Sequence, residues 1–408
     1  MQGKWLKTSL ADLVDVVGGG TPKTGVLEYW DGNIPWLSIA DFKSETRWVS
    51  DTEKYITELG LKNSSTRLLA KGDLIISARG TVGAVAQLSR PMAFNQSCYG
   101  LKTKESCYSD FLYYLLQFNF HNIASSAYGA VFDTITRETF NNIFVTVPPH
   151  PEQKKIAEIL STWDEAIEKL NSYIEAKKKL KKALMQRLLK GKQRIKEFIV
   201  REGYKKTDLG WIPEDWEVKR LGELCAIDSE NLSNNTSADY VFKYISLENI
   251  EQGLLKGFTQ LSFKEAPSRA RRIIQKNDVL LATVRPNLLS HYFVKDEVTN
   301  WVCSTGFSVL RSENLWTNKF IFYHLFFKII MMQIESFITG SNYPAINASD
   351  VKSLKIPLPP LPEQKKIAEI LSKADEEIDL LNQELEKLKT QKKGLMQKLL
   401  TGAWRVKL

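Results

Sequence analysis

The stretch PEQKKIAEILS at residues 151–161 decides the fold, because it recurs letter for letter at residues 362–372, an offset of 211 residues. Extended without a gap, residues 151–191 match residues 362–402 at 26 of 41 positions. Chance does not produce a match of this length, so the chain contains an internal duplication. Each copy opens with Pro and Glu, which suit the first turn of a helix, and closes with a Gly that suits a helix C-terminus.

Apolar residues recur in both copies at alternating spacings of four and three, a pattern that predicts a coiled-coil seam of about three heptads. Two near-identical seams in one chain favour antiparallel pairing with each other and a pseudo-twofold arrangement. The alternative is that each helix packs only on its own domain. A helix of about 40 residues is ~60 Å long, comparable with ~17 base pairs of B-DNA. The predicted seam residues are Ile156, Leu160, Trp163, Ile167, Leu170, Ile174, Ile367, Leu371, Ile378, Leu381 and Leu385.

The duplication divides the chain into globular segments at 1–150 and 199–361 and helical segments at 151–198 and 362–408. The globular segments share a fainter framework. KGDLIISAR resembles KNDVLLATVR, which lies in the second segment, and PWLSIAD resembles KYISLEN in the same way. Short β-rich runs alternate with turn clusters and an aromatic helix, so we predict an α+β fold for both segments. The apolar run at 320–332 is shorter than a membrane span and favours a buried helix.

Composition narrows the functional classes. The 408 residues include 56 Lys and Arg against 47 Asp and Glu, and 43% are hydrophobic, which describes a folded protein with a mild basic excess of +9. This excess hints at an anionic partner. The four Cys and four His form no C-x-x-C pair or cluster, so we expect neither a zinc site nor a disulfide framework. Reduced cysteines and an N-terminus without a long apolar stretch predict a cytoplasmic protein with no membrane partner.

Motifs for catalysis are missing from the sequence. GGGTPKT at 18–24 mimics a phosphate-binding loop, but Pro22 replaces the glycine needed before the lysine. An adenine methyltransferase needs Asn or Asp before a Pro-Pro pair, whereas Val147 and Leu358 precede the two pairs here. Pro-Glu-Gln-Lys at 151–154 is better explained as a helix start than as a nuclease metal site. We therefore expect no catalytic residue, no metal site and no cofactor in this chain.

Side chains suited to nucleic-acid recognition are better represented. The run APSRARR places three arginines before a predicted strand, and two further arginines end matching strands. The loops GAVFDTITR and GSNYPAIN occupy matching positions and carry side chains that suit base edges. The alternative for any single residue is an exposed position on a turn. The candidate DNA-contacting residues are Lys23, Thr24, Ser38, Arg79, Asp133, Thr134, Arg137, Tyr244, Ser246, Arg269, Arg271, Arg272, Arg285, Asn342, Tyr343 and Asn347.

The twin helices, the linker YKKTDLGWIPEDWEVKRLGEL at 204–224 and the opening GGTPKT…YWDGNIPWLSIAD at 19–41 resemble the DNA-specificity subunit of type I restriction–modification enzymes. The resemblance covers essentially the whole chain. It implies that each globular segment is a target-recognition domain that reads one half of a split DNA sequence in the major groove. The weak likeness between the two domains implies two different half-sites.

The same resemblance assigns the partners. It implies that the helices pair as an antiparallel coiled coil, set the gap between the half-sites and dock two copies of a modification subunit, an adenine-N6 methyltransferase. Restriction subunits join for cleavage. S-adenosylmethionine, ATP and Mg are then expected on those partner subunits, and this chain is a non-catalytic subunit that binds double-stranded DNA.

Two alternatives stay open. One is the same module in a system whose cleavage and methylation subunits are fused, and the other is a coiled-coil scaffold whose globular heads bind proteins. The charge distribution bears on both, because residues 151–198 carry a net charge of +6 whereas residues 1–150 carry 0 and residues 199–361 carry +1. The basic helix is either a solvated face or a contact for DNA phosphates or a partner. DNA reading must then come from local clusters on near-neutral domains.

Overall fold

The structure, a computed structural model, describes residues 4–42, 46–79, 82–119, 135–338 and 344–408. The chain forms two compact units: unit 1 comprises Met1–Ser172 with Gln383–Leu408, and unit 2 comprises Tyr173–Asn382. Each unit holds one globular segment together with parts of both long helices. Helices and sheets occur in both units, so the predicted α+β class is confirmed.

Unit 1 is built on three sheets. Their strand orders are β1-β11, β2-β10-β7-β8-β4 and β5-β3-β9-β6. The strands are β1 (Leu6–Ser9), β2 (Val14–Gly18), β3 (Trp30–Leu37), β4 (Trp48–Val49), β5 (Lys54–Ile56), β6 (Leu68–Leu69), β7 (Leu74–Ser77), β8 (Val85–Leu88), β9 (Met92–Phe94), β10 (Cys98–Thr103) and β11 (Phe144–Val147). The helices are α1 (Leu10–Leu13), α2 (Glu58–Lys62), α3 (Ser109–Phe118), α4 (Arg137–Asn142) and the first part of α5 (His150–Leu188).

Unit 2 contains the sheets β12-β13, β14-β25, β15-β24-β21-β22, β19-β16-β23-β20 and β17-β18. The strands are β12 (Tyr204–Thr207), β13 (Gly210–Pro213), β14 (Glu217–Arg220), β15 (Ala226–Ile227), β16 (Val241–Ile245), β17 (Ile250–Glu251), β18 (Leu254–Leu255), β19 (Thr259–Ser262), β20 (Ala270–Ile274), β21 (Val279–Ala282), β22 (Tyr292–Phe293), β23 (Trp301–Ser304), β24 (Phe307–Arg311) and β25 (Lys355–Leu358). The helices are α6 (Leu221–Leu224), α7 (Leu315–Leu325), α8 (Lys328–Phe337), α9 (Ala348–Ser353) and α10 (Leu361–Leu400).

The two units share one topology. The antiparallel pair β1-β11 corresponds to β14-β25 at the offset of 211 residues. In both units one four-stranded sheet contains a single parallel pair, β3 with β9 in unit 1 and β16 with β23 in unit 2. The matched stretches KGDLIISAR and KNDVLLATVR form β7 and β21. The other matched pair, PWLSIAD and KYISLEN, forms the ends of β3 and β16, and a short 3₁₀ turn follows each of these two strands. The framework predicted from the sequence is therefore present in both units.

Successive side chains of strands β7 and β21 point to opposite faces, so each strand separates two apolar clusters. In β7, Leu74 and Ile76 pack with Phe111 of helix α3, while Ile75 packs in a separate apolar cluster on the other face. Strand β21 does the same with its four buried residues. A strand covered on both faces reads as a continuous apolar run, which explains the sequences LIIS and VLLA.

The two long helices run antiparallel within each unit. In unit 1, Ile156 and Leu160 near the start of α5 pack with Leu399 and Leu400 at the end of α10. In unit 2, Lys177 of α5 pairs with Glu377 of α10, their nearest atoms 2.6 Å apart. The start of each helix also closes the core of its own globular segment. The helices therefore pair with each other and also pack on their own domains, so the alternative of packing on the domain alone is wrong. The predicted seam residues are buried or half-buried.

A buried glutamate anchors the start of α5 in unit 1. Glu152 accepts two hydrogen bonds of 2.7 Å from Arg405, which follows α10. The indole Nε1 of Trp5 donates to the same carboxylate at 3.3 Å, and the Arg405 guanidinium lies over the Trp5 ring. We call this set of three residues clamp 1. It joins the N-terminal segment, α5 and the C-terminal segment at one point.

Unit 2 contains the equivalent clamp 2 at the offset of 211 residues. Glu363 of α10 accepts hydrogen bonds from Arg194 at 2.7 and 3.0 Å and from the indole of Trp216 at 3.0 Å. Arg194 also pairs with Asp215 at 2.8 Å. Burial acts to raise the pKa of Asp215, but the hydrogen bonds from Arg194 and the Val200 amide outweigh it and the pKa is lowered. In unit 1, Lys4 stands at the position that matches Asp215.

A second duplicated contact ties each globular segment to both helices. In unit 1 the Tyr114 hydroxyl donates to Asp164 of α5 at 2.5 Å, and Lys392 of α10 pairs with that carboxylate while lying over the Tyr114 ring. In unit 2, Tyr323, Asp375 and Lys181 repeat the arrangement. The carboxylate thus serves a tyrosine from the globular segment and a lysine from the other helix at once.

The apolar run at 320–332 is divided between α7 and α8, and eight of its thirteen residues are buried, so the prediction of a buried segment is confirmed, although it forms parts of two helices rather than one. No single helix in the described ranges is long and apolar enough to cross a membrane; α7 and α8 meet that test only as a pair, and they are bent by 74°. His291, whose ring lies 5.4 Å from that of Phe326, accepts a hydrogen bond from the Ala282 amide. Burial lowers the pKa of His291 to about 3 and that of His324 to about 4.

The asymmetry of the clamps predicts unequal damage from matched substitutions. Arg194→Met leaves Glu363 and Asp215 without a counter-charge, which costs about 3–5 kcal/mol in unit 2. Arg405→Met removes the counter-charge of Glu152, but the Arg405 side chain is 27% exposed against 9% for Arg194, so unit 1 loses less. Hydrogen exchange read separately on peptides of the two units measures both free energies. Equal losses from the two variants would contradict this assignment.

The buried histidines predict an acid-sensitive unit 2. Above pH 6.5 His291 is neutral in both folded and unfolded chains, so it has no effect. Below that pH the unfolded chain binds a proton that the folded one refuses, and the free energy of unfolding falls by up to ~1.4 kcal/mol per pH unit. His291→Asn retains an acceptor for the Ala282 amide and removes the proton uptake. Urea unfolding at pH 7.0 and 5.5 should show a weaker pH dependence in this variant; an unchanged dependence would refute the assignment.

Candidate nucleic-acid interface

Three loops of unit 2 meet around a surface groove of about 640 Å³. They are the turn after β16, the start of β20 and the turn after β21. Charged and hydroxyl side chains line the groove, including Ser246, Glu248, Glu251, Lys256, Arg269 and Arg285. The groove therefore offers both hydrogen-bond donors and carboxylate acceptors in one concave surface.

Backbone and capping hydrogen bonds fix these loops. Asn249 accepts from the Ser246 amide at 2.8 Å and from its hydroxyl at 2.9 Å, which closes the 3₁₀ turn Leu247–Asn249. The carbonyl of Arg269 accepts from the Thr305 amide at 2.8 Å. The Arg285 amide donates to Pro344 at 2.9 Å, joining the turn after β21 to the loop before α9. The groove is thus pre-organised by main-chain contacts rather than by its charged side chains.

The turn after β21 has a strained backbone. Arg285 and Leu289 flank the 3₁₀ turn Pro286–Leu288, and both adopt the left-handed conformation, with φ of 48° and 54°. This conformation disfavours residues with a Cβ atom by about 1–2 kcal/mol each. Strain of this kind clusters at ligand-binding loops, where the surrounding structure maintains it.

Two of the three clustered arginines are engaged inside unit 2. Arg272 forms an ion pair of 2.7 Å with Asp228, and burial raises the pKa of that carboxyl above its ordinary value. The Arg271 guanidinium lies over the ring of Phe263. Arg269 is exposed, and its side chain makes no ion pair within the described ranges. A bulge between Ala270 and Arg272 separates the directions of these neighbouring side chains.

The other predicted residues of unit 2 occupy diverse positions. Tyr244 is only 5% exposed and packs in an apolar cluster beneath the sheet. Asn347 caps helix α9 by accepting from the Ser349 and Asp350 amides. Asn342 and Tyr343 lie outside the described residues. The groove therefore brings together Ser246, Arg269 and Arg285, but not Tyr244 or Asn347.

In unit 1 the glycine-rich loop is explained by close packing. A Cβ atom at Gly19 would lie 2.1 Å from the carbonyl oxygen of Asn95, and one at Gly20 would lie 2.2 Å from Ser65 Oγ. The Gly20 amide is already bonded to the Phe94 carbonyl. The glycines therefore permit two chain segments to approach each other, which fits the loop's poor match to a phosphate-binding motif.

The exposed candidates of unit 1 surround that loop and the end of β7. Lys23 and Thr24 are exposed in the loop itself, and Arg79 is exposed just after β7. Arg137 begins helix α4, with its Nη2 3.6 Å from the ideal Cβ position of Gly18. Ser38 caps a 3₁₀ turn by donating to Asp41 at 2.9 Å, as Ser246 does to Asn249 in unit 2. The predicted Asp133 and Thr134 lie outside the described residues.

Sequence reasoning did not single out Glu248 or the clamp arginines. Arg194 and Arg405 occupy matching positions at the offset of 211 residues, as do Glu152 and Glu363, so the repeat itself contained the signal for the clamps. Glu248 had no such signal, because its counterpart in unit 1 is Ala40. Only the folded arrangement brings Glu248 beside the arginines of the groove.

Known proteins resemble this chain over nearly its whole length. The family model of the type I restriction modification DNA specificity domain matches twice, at residues 2–178 and 213–390. The MjaIX and MjaVIII specificity subunits of type I restriction enzymes, both from Methanocaldococcus jannaschii, are each 27% identical to this chain. The first match covers 98% of this chain and 94% of the relative, and the second 99% and 93%.

A solved structure shows the same fold. The S subunit of a type I restriction–modification system from M. genitalium superposes with a TM-score of 0.60 at 19% identity, covering 97% of this chain and 96% of that one. Members of this family recognise DNA and assemble with other subunits, and the specificity subunit itself is not the catalytic one. With two copies of the domain matched over most of its length, the chain belongs to the type I restriction–modification DNA-specificity family.

Proposed function

We propose that each globular segment binds one half of a split DNA sequence and that helices α5 and α10 set the distance between the halves. The observation that supports this most is a contrast between the duplicated parts. The clamp residues are the same in both units, whereas loop residues at matching positions differ, as Ala40 and Glu248 do. A framework that is the same in both units, with different loop residues in each, suits recognition of two different half-sites.

The proposed DNA contacts are the candidates that the fold leaves at the surface. In unit 1 they are Lys23, Thr24, Arg79 and Arg137, and in unit 2 they are Ser246, Arg269 and Arg285. Arginine and lysine bind phosphates and guanine edges, and both kinds of contact are needed to position and read a duplex. Arg272 and Asn347 act in this account by holding the loops that carry those contacts.

The proposal extends to the partners. Two near-identical helices offer two near-identical surfaces, which suits two copies of one partner subunit. We infer that this partner is the modification subunit, an adenine-N6 methyltransferase, and that restriction subunits join the complex for cleavage. S-adenosylmethionine, ATP and Mg would be bound by those subunits. The relatives that support this inference are named as specificity subunits of type I restriction enzymes.

Labelled methyl transfer tests the proposed function directly. The chain is purified together with its cognate modification subunit and incubated with duplex DNA and labelled S-adenosylmethionine. Sequence-specific adenine methylation should require this chain. Methylation that is absent, or that has the same sequence preference without the chain, would refute the proposal.

Substitutions of the neighbouring Arg269 and Arg272 should distinguish a residue that contacts DNA from one that stabilises the fold. Arg269→Ala removes an exposed cation and should weaken methylation through one half-site, by ~1–3 kcal/mol if a base-reading pair is lost, with unit 2 stability unchanged. Arg272→Ala leaves the half-buried carboxylate of Asp228 unpaired and should lower the free energy of unfolding of unit 2 by about 3 kcal/mol. Thermal melts and methylation rates measure the two effects. Loss of stability in Arg269→Ala would contradict the proposed division.

Shortening the helices tests whether they set the gap. Residues 166–169 and 387–390 lie on the parts of α5 and α10 within unit 1, next to the Asp164–Lys392 ion pair. Deleting both segments removes about one turn, ~6 Å, from each helix. The preferred gap between half-sites should shorten by ~2 base pairs, measured on duplexes with graded gaps. Deleting 166–169 alone is the control and should disturb pairing of the helices; an unchanged gap in the double deletion would contradict the proposal.

A further inference from the structure

We propose that the groove of unit 2 reads a G·C base pair, with Arg269 donating to guanine and Glu248 accepting from cytosine. The inference rests on the proposed function, since it specifies what one of the two domains recognises. It concerns the groove formed by the turn after β16, the start of β20 and the turn after β21.

The charges of the groove favour base edges over phosphates. A surface that binds only phosphate is lined with cations, because each carboxylate repels the DNA backbone. Here two carboxylates, Glu248 and Glu251, share the groove with two arginines and a lysine. Lys256 forms an ion pair with Glu251. Glu248 makes no hydrogen bond or ion pair within the described ranges, so its carboxylate is available as an acceptor.

The chemistry of these side chains matches one base pair. In the major groove guanine presents two acceptors, O6 and N7, which a guanidinium contacts with two N–H donors. Cytosine presents an N4 amino donor, which a carboxylate accepts. An A·T pair places one acceptor and the amino donor together on its purine and a methyl group on its pyrimidine, so it cannot pair a guanidinium on the purine with a carboxylate on the pyrimidine.

The loops that carry these side chains are held before DNA arrives. The 3₁₀ turn that presents Glu248 is closed by Ser246 and Asn249, and Leu247 packs against Gly306, where an added Cβ would lie 2.9 Å from Leu247 Cδ1. The left-handed conformations of Arg285 and Leu289 hold the opposite turn in a strained shape. Pre-organised donors and acceptors lose less entropy on binding, which favours discrimination between base pairs.

Unit 1 offers a built-in comparison. Its equivalent turn, Ile39–Asp41, is closed by a hydrogen bond from Ser38 to the Asp41 carboxylate, as the turn in unit 2 is closed by Ser246 and the Asn249 amide. Ala40 stands at the position of Glu248. The first domain therefore has no carboxylate at this position of the turn. The two domains should differ in their dependence on a cytosine at the corresponding base pair.

The test uses the chain in complex with its modification subunit and duplexes that carry the methylated motif with each base pair replaced in turn. Glu248→Ala should reduce discrimination at one G·C pair by 5- to 150-fold and leave the other half-site unchanged. Glu297→Ala, which removes an exposed carboxylate of unit 2 that pairs with Lys276 outside the groove, is the matched control and should retain discrimination. Thermal melts confirm that both variants fold.

The outcomes separate this inference from the proposed function. Relaxation confined to one G·C pair supports the inference. Unchanged discrimination in Glu248→Ala, or relaxation at an A·T pair, would overturn it while wild-type methylation remains sequence-specific. Failure of the proposed function would appear earlier, as a wild-type complex without sequence preference.

Discussion

A glutamate buried between an arginine and a tryptophan is the contact on which each unit depends. Removing a carboxylate from water is costly unless its charge is paired and its oxygens accept hydrogen bonds. Glu152 and Glu363 meet both needs through Arg405 with Trp5 and Arg194 with Trp216. In both units the arginine follows one long helix and the glutamate begins the other. The buried charge therefore forces the end of one helix to lie beside the start of the other.

The second duplicated contact makes the globular segments follow the helices. Asp164 and Asp375 each serve a tyrosine of a globular segment and a lysine of the opposite helix. Such a shared carboxylate cannot move with only one of its partners without leaving the other unpaired. The residues that support the domains are thereby constrained to remain alike. The loop residues that we propose as DNA contacts carry no such constraint and differ between the units.

Local sequence predicted the apolar elements of the structure. The spacing of apolar residues predicted the seam of α5 and α10, whereas continuous apolar runs predicted the central strands β7 and β21 and the buried segment shared by α7 and α8. The residues of the candidate interface were harder to predict, because Arg269, Arg271 and Arg272 look equivalent in the sequence. A bulge in β20 directs Arg272 to Asp228, while Arg269 stays exposed. Glu248 enters the groove only because loops distant in sequence converge there.

Mapping methylated adenines in DNA modified by the complex tests the central claim most directly. The proposed function predicts a motif with two short constant halves, different from each other and separated by a gap of fixed length and free sequence. A continuous motif, or a split motif whose gap varies freely, would contradict the account.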